Sequence, residues 1–238
     1  TGTHRGAQST FREMQALSHE CSVVCIPKTI ENDIPLIDKS FGFDTACTEA
    51  AKAINSAYVE ATTNANCIGL VKLMGRHCGF IALHATLAAR HVDVCLIPEM
   101  PVFRDKVLDY VAHVMQKKRY AVIVVAEGCG DTGLYWREEI ATHFKKVGLP
   151  LSIKYIDPTY MIRSVAANAS DNVYCALLAQ QAVHAAMAGY SDCTVGKVDE
   201  RFVTLPIHAI TQRSSSRVDI KGRLFERLIM TTGQPTFV

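Results

Sequence analysis

The sequence has no Cys-x-x-Cys pair, no block of basic residues and no apolar run longer than a strand. Each absence removes a class of function. Nine cysteines, an odd number scattered along 238 residues, signal neither a disulfide framework nor a zinc ribbon and point to a reducing, cytosolic compartment. The 25 basic and 23 acidic residues are spread evenly, for a net charge of +2, which excludes a nucleic-acid or anionic membrane surface. A small phosphorylated substrate needs only a few local cations. The longest apolar stretches, such as Ala121 to Ala126, fall far short of the roughly 20 residues that a membrane helix requires. No targeting segment is visible. The opening Thr1-Gly2-Thr3-His4-Arg5-Gly6-Ala7 reads as a loop-like stretch rather than an initiator region, so the chain is expected to be a fragment.

With 49% hydrophobic and 20% charged residues, the chain can bury a sizeable core. Short apolar or β-branched runs at Cys21 to Ile26, Ile68 to Met74, Val92 to Ile97 and Ala121 to Ala126 read as buried strands. Segments of helical length and period lie between them: Asp44 to Ala61, Gly79 to Arg90, Lys106 to Lys117 and Arg137 to Val147. A further strand over Leu151 to Ile156 and an Ala-rich helix over Asp171 to Met187 follow. Strands alternating with helices predict a parallel, doubly wound α/β sheet. In such sheets ligands bind beyond the carboxyl ends of the strands, so the residues after each apolar run are the candidates for chemistry.

After the first run, Pro27-Lys28-Thr29-Ile30-Glu31-Asn32-Asp33 packs a cation, a hydroxyl, two carboxylates and an amide into one loop. One carboxylate there can accept the proton of an attacking hydroxyl; the same composition also makes a capped turn. Met74-Gly75-Arg76 before a helix is a natural anion site, or a plain strand-to-helix turn. Glu127 follows the run Ala121 to Ala126, where it can accept from sugar hydroxyls or stand as a surface acid. Lys154-Tyr155-Ile156-Asp157-Pro158-Thr159-Tyr160-Met161-Ile162-Arg163 sets two cations and a phenol about a proline turn, which suits a phosphate ester or a structural salt-bridge corner. His77, His84 and His91 stand on one helical face roughly 10 Å apart, too far for one metal ion.

In order along the chain, Gly2-Thr3-His4-Arg5-Gly6-Ala7, Pro27-Lys28-Thr29-Ile30-Glu31-Asn32-Asp33, Phe41-Gly42-Phe43-Asp44-Thr45-Ala46, Met74-Gly75-Arg76, Pro98-Glu99 and Tyr155 to Arg163 resemble the 6-phosphofructokinase family. The long last motif, and Asn168 to Tyr174 after it, look like the plant and protist ATP-using branch, which is related to pyrophosphate-using enzymes. The resemblance implies two doubly wound, Rossmann-like parallel-sheet domains with the active site between them and the N-terminal part missing. Residues 1–42 would complete the nucleotide-binding domain, 43–160 form the sugar-phosphate domain, 161–212 return to the first and 213–238 to the second. It implies transfer of the ATP γ-phosphate to the 1-hydroxyl of fructose 6-phosphate, with Mg²⁺, in a cytoplasmic, allosteric homo-oligomer of glycolysis; organelle targeting on the missing segment stays open.

The same resemblance sets Thr29, Glu31, Met74, Gly75, Arg76, Glu127, Tyr160 and Arg163 around fructose 6-phosphate. Lys154 would be a further phosphate contact, reaching a neighbouring subunit's site. Gly2 and Thr3 would lie by the nucleotide phosphates. Gly2 at the position that separates donors implies ATP, while Lys28 occurs with either donor. Two positions depart from the family pattern. The proton-accepting Asp is Glu31 here, and the metal-contacting Asp is Thr1, whose neutral hydroxyl is a far weaker ligand for Mg²⁺ than a carboxylate. Two alternatives therefore stand beside the kinase: a catalytically impaired regulatory paralogue that keeps a sugar-phosphate pocket through Arg76, Glu127 and Arg163, and a pyrophosphate-dependent phosphofructokinase.

Overall fold

The computed structural model describes residues 2–129 and 133–237. The chain divides into two compact units, residues 1–45 with 166–216, and residues 46–165 with 217–238.

The second unit is built on four parallel strands in the order β3-β4-β2-β5: β2 (Cys67–Leu73), β3 (Val94–Leu96), β4 (Tyr120–Ala126) and β5 (Ser152–Ile156). β2 and β4 pair over seven residues, from Cys67 opposite Tyr120 to Leu73 opposite Ala126. Both read as near-continuous apolar runs because helices cover both faces of such a sheet. The helix α2 (Phe43–Thr63) starts in the first unit and runs into the second. It buries Ala46, Ala50, Ile54, Ala57 and Ala61, a spacing of three to four residues that makes one face. Small side chains on that face let its backbone approach β2 at Gly69, where a Cβ would lie 2.7 Å from the Ala57 carbonyl oxygen. α3 (Phe80–Ala89), α4 (Arg104–Lys118), α5 (Gly133–Val147), the short α6 (Thr159–Ser164) and a later helix (Arg223–Thr232) complete the unit. The segment after that last helix closes the edge of β3. The Gln234 amide accepts from the Cys95 N–H at 2.6 Å and donates to the Cys95 carbonyl at 3.1 Å, replacing a neighbouring strand.

The first unit carries α1 (Gly2–Ala16), β1 (Val24–Cys25), α7 (Ala169–Met187), β6 (Cys193–Val198), β7 (Arg201–Pro206) and α8 (Ile207–Thr211); the Arg223–Thr232 helix above is then α9. β1 runs parallel to β6, and β6 antiparallel to β7. Tyr174 and Leu178 of α7 pack on Val195, with Val24, Phe41 and Phe202 around them.

Three sequence expectations are corrected. The opening residues, expected as loop, form α1, whose only buried residue is His4, held to Thr194 Oγ1 at 3.2 Å. The strand expected over Cys21 to Ile26 pairs only at Val24 and Cys25. The sheet of this unit is mixed rather than parallel, because β7 turns back on β6 through Asp199 and Glu200, both at positive φ. Among the described residues no helix is long and apolar enough to cross a membrane, and all nine cysteines are free thiols.

Candidate functional site

In the second unit, three neighbouring strands end at one edge and deliver the candidate residues side by side. β2 ends in Met74-Gly75-Arg76, β4 in Glu127-Gly128, and β5 in Asp157-Pro158 before α6. The Glu127 N–H donates to the Leu73 carbonyl at 2.8 Å and the Gly128 N–H to the Gly75 carbonyl at 3.0 Å, so the two loops continue the ladder beyond the strands. Both glycines are needed for that approach. Gly75 sits at φ 131, and a Cβ on Gly128 would stand 2.1 Å from the Arg76 carbonyl oxygen.

The arrangement leaves Arg76 exposed and Glu127 half-buried, while Met74 is 2% exposed with its side chain in the core. Only the backbone of Met74 reaches the edge. On α6, Tyr160 is 83% exposed and Arg163 exposed as well. An exposed guanidinium, a carboxylate and a phenol on three adjacent loops can hold a polyhydroxylated phosphate ester, the cations taking the phosphate and the carboxylate the hydroxyls.

Lys154 does not join this group. It pairs opposite Gly69, five residues before Met74 and so roughly 17 Å back from the edge at about 3.3 Å per residue. Its ammonium lies 3.7 Å from Glu60, with both side chains about half exposed.

Pro98-Glu99 has a structural task. Glu99 Oε1 accepts from the Gly79 N–H at 3.0 Å, at the start of α3, and from the Val218 N–H at 2.9 Å. Asp157 accepts from the Thr159 N–H and hydroxyl and pairs with Lys72 at 3.1 Å. Burial opposes ionisation of Asp157, but the Thr159 hydroxyl, the Lys72 ammonium and the Thr159 amide outweigh it and hold the carboxyl below its ordinary range.

In the first unit, the loop after β1 carries exposed Lys28 and half-buried Thr29 and Glu31. The Glu31 N–H donates to Thr29 Oγ1 at 3.1 Å, which fixes the turn bearing the carboxylate. Asn32, at φ 56, closes the loop: its Oδ1 accepts from the Ser40 N–H at 2.8 Å and its amide donates to the Asp38 carbonyl at 3.2 Å. Gly2 and Thr3 lie exposed in the first turn of α1, where free N–H groups and the helix dipole favour an anion.

Sequence reading missed Asp171 as the organiser of this unit. It is fully buried and accepts from the Gly42 N–H at 2.9 Å, the Thr45 N–H at 2.7 Å and the Thr45 hydroxyl at 2.5 Å. Asn168 caps the same helix by accepting from the Asp171 N–H at 2.9 Å. The Asn-x-x-Asp spacing before an apolar helix was the available signal.

Among the described residues no group of three His, Cys, Asp or Glu side chains could hold a metal ion. Thr1, at the expected metal position, lies outside the described residues.

The family profile described as phosphofructokinase matches residues 4–186. An ATP-dependent 6-phosphofructokinase of Arabidopsis thaliana is 48% identical over 262 residues, covering 100% of this chain and 54% of that protein. A relative of the same description from Amycolatopsis methanolica is 40% identical, over 98% of this chain and 57% of its own length. The chain thus spans about half the length of the curated relatives it matches. Among solved structures, a pyrophosphate-dependent phosphofructokinase from Marinobacter aquaeolei superposes with a TM-score of 0.81 over 96% of this chain and 64% of that one, at 19% identity. At that identity the likeness speaks for the fold alone.

Proposed function

The chain belongs to the phosphofructokinase family, and from that premise we propose that the whole protein transfers the γ-phosphate of ATP to the 1-hydroxyl of fructose 6-phosphate. The observation that carries the reading is the row of loops at the ends of β4, β2 and β5, which presents Glu127, Arg76 and the Tyr160–Arg163 helix on one edge. ATP rather than pyrophosphate as donor is supported by Gly2 and by the names of the relatives at 40–48% identity.

In this reading Arg76 and Arg163 hold the sugar phosphate, Glu127 and Tyr160 orient the sugar, and Gly75 lets the backbone approach it. Thr29 fixes the turn on which Glu31 accepts the hydroxyl proton. Gly2 and Thr3 receive the nucleotide phosphates. Lys154, set back from the edge, serves the site of a neighbouring subunit in a homo-oligomer. Catalysis of this kind is positioning and charge stabilisation, with little covalent work for the protein. Among the described residues no group of three His, Cys, Asp or Glu side chains could hold a metal ion, and Mg²⁺ in this reaction would be carried chiefly by the nucleotide phosphates. The free thiols support a reducing, cytosolic setting.

The test is a steady-state assay of the whole protein with fructose 6-phosphate and either ATP or pyrophosphate. Turnover with ATP is expected; turnover with pyrophosphate alone would reassign the donor.

A further inference from the structure

One salt bridge ties together two of the loops that build the sugar-phosphate edge. Lys72 is the only charged residue of β2 and stands one position before its end. A cation in a strand that is otherwise buried needs a partner. Its side chain is 16% exposed, and its Nζ lies 3.1 Å from Asp157 Oδ2 at the end of β5. Asp157 Oδ1 meanwhile accepts from the Thr159 N–H at 3.1 Å and from the Thr159 hydroxyl, a capping turn that starts α6 across the buried Pro158. α6 has little other anchorage: it is six residues long and buries only Ile162. The lysine has little freedom to leave, since α5 begins directly over its stem. A Cβ on Gly133 would stand 2.9 Å from Lys72 Cβ and 2.7 Å from the Tyr155 ring.

We propose that Lys72 and Asp157 are positioning residues of the sugar-phosphate pocket, their ion pair fixing the Asp157–Pro158 turn to the end of β2 and so setting Tyr160 and Arg163 relative to Arg76. This rests on the function proposed above. Neither residue touches substrate in this account. The Asp157 carboxylate is held below its ordinary pKa by the Thr159 hydroxyl and the Lys72 ammonium, so it stays charged throughout the neutral range.

The test uses the whole protein with Lys72→Met, Asp157→Asn, the double variant and Lys72→Arg; asparagine keeps an acceptor for Thr159. A misplacement of about 1 Å can cost a hundredfold, so each single variant should raise the KM for fructose 6-phosphate about tenfold, with kcat and the KM for ATP within about twofold. The double variant should be no worse than the worse single one, as expected of two members of one interaction, and Lys72→Arg should recover most of the loss. Amide hydrogen exchange, which needs no turnover, should quicken about tenfold at residues 162–164 and stay unchanged along β2 and β4. Unchanged KM and exchange in both single variants would overturn the proposal. So would kcat, both KM values and melting temperature declining together without localised exchange. If the native protein does not phosphorylate fructose 6-phosphate, the functional reading fails, and the exchange result alone decides whether the tie exists.

Discussion

Replacing Gly128 by alanine tests the construction of the edge most sharply, because the obstacle to a side chain there is backbone. The added Cβ would lie 2.1 Å from the Arg76 carbonyl oxygen and 3.0 Å from that of Gly75. A carbon–oxygen contact needs about 3.3 Å, so the loops carrying Arg76 and Glu127 must part by about 1.2 Å. The Gly75 carbonyl is held in place because it already accepts from the Gly128 N–H. Displacement on that scale costs up to about a hundredfold in kcat/KM, or about 2.7 kcal/mol of transition-state binding. The strain should also cost about 1–3 kcal/mol of stability. Steady-state kinetics in fructose 6-phosphate, beside urea unfolding, read both effects. Gly6→Ala is the control: Gly6 lies inside α1, where a Cβ meets nothing within 4 Å, and the change should stabilise by about 0.5–1 kcal/mol. A Gly128→Ala protein with native kcat/KM and native stability would refute the account of the edge.

Three further outcomes follow from the first unit. Asp171→Ala strands the Gly42 and Thr45 N–H groups and the Thr45 hydroxyl around a fully buried site, and should cost about 3–5 kcal/mol in urea unfolding; a loss under about 1 kcal/mol would contradict that role. Burial holds the His4 imidazole below its ordinary 6.5. The folded state therefore favours the neutral ring, so this stability is complete above pH 6.5 and is lost as pH falls through the lowered folded value. His4→Gln should flatten that acid limb in melting temperature, whereas a curve parallel to the native one would show that the limb has another origin. Gly2→Asp meets no steric obstacle within 4 Å and should fold normally, yet raise the KM for ATP at least about tenfold by repulsion of the phosphates; an unchanged KM would count against ATP lying at that turn.

The parallel strands were legible because burial on both faces leaves a continuous apolar signature. The runs at Ile68 and Ala121 matched β2 and β4 to within a residue. β6 and β7 escaped notice for physical reasons. β7 is partly exposed along its length, Gly196 and Lys197 interrupt the pattern of β6, and the turn between them uses Asp199 and Glu200 at φ 47 and 63, where glycine or asparagine would have signalled a hairpin. α1 was hidden by its two glycines, since it is held through one buried histidine rather than an apolar stripe. The residues of the candidate edge could be named from the strand ends. Their supports could not, because the partners are remote in sequence: Asp171 stands 129 residues from Gly42, and Asp157 85 from Lys72. A lone lysine inside the apolar run Cys67 to Leu73 was still a legible sign that some carboxylate had to meet it.

The most direct measurement is turnover of the whole protein with fructose 6-phosphate and Mg-ATP, run beside Glu31→Gln and with fructose 6-phosphate binding measured on both. The account predicts turnover by the native protein, and a loss in kcat of about a hundredfold or more with sugar-phosphate binding retained once the carboxylate is replaced. A native protein that binds fructose 6-phosphate but does not phosphorylate it, or a glutamine variant that turns over like the native one, would contradict Glu31 as the base.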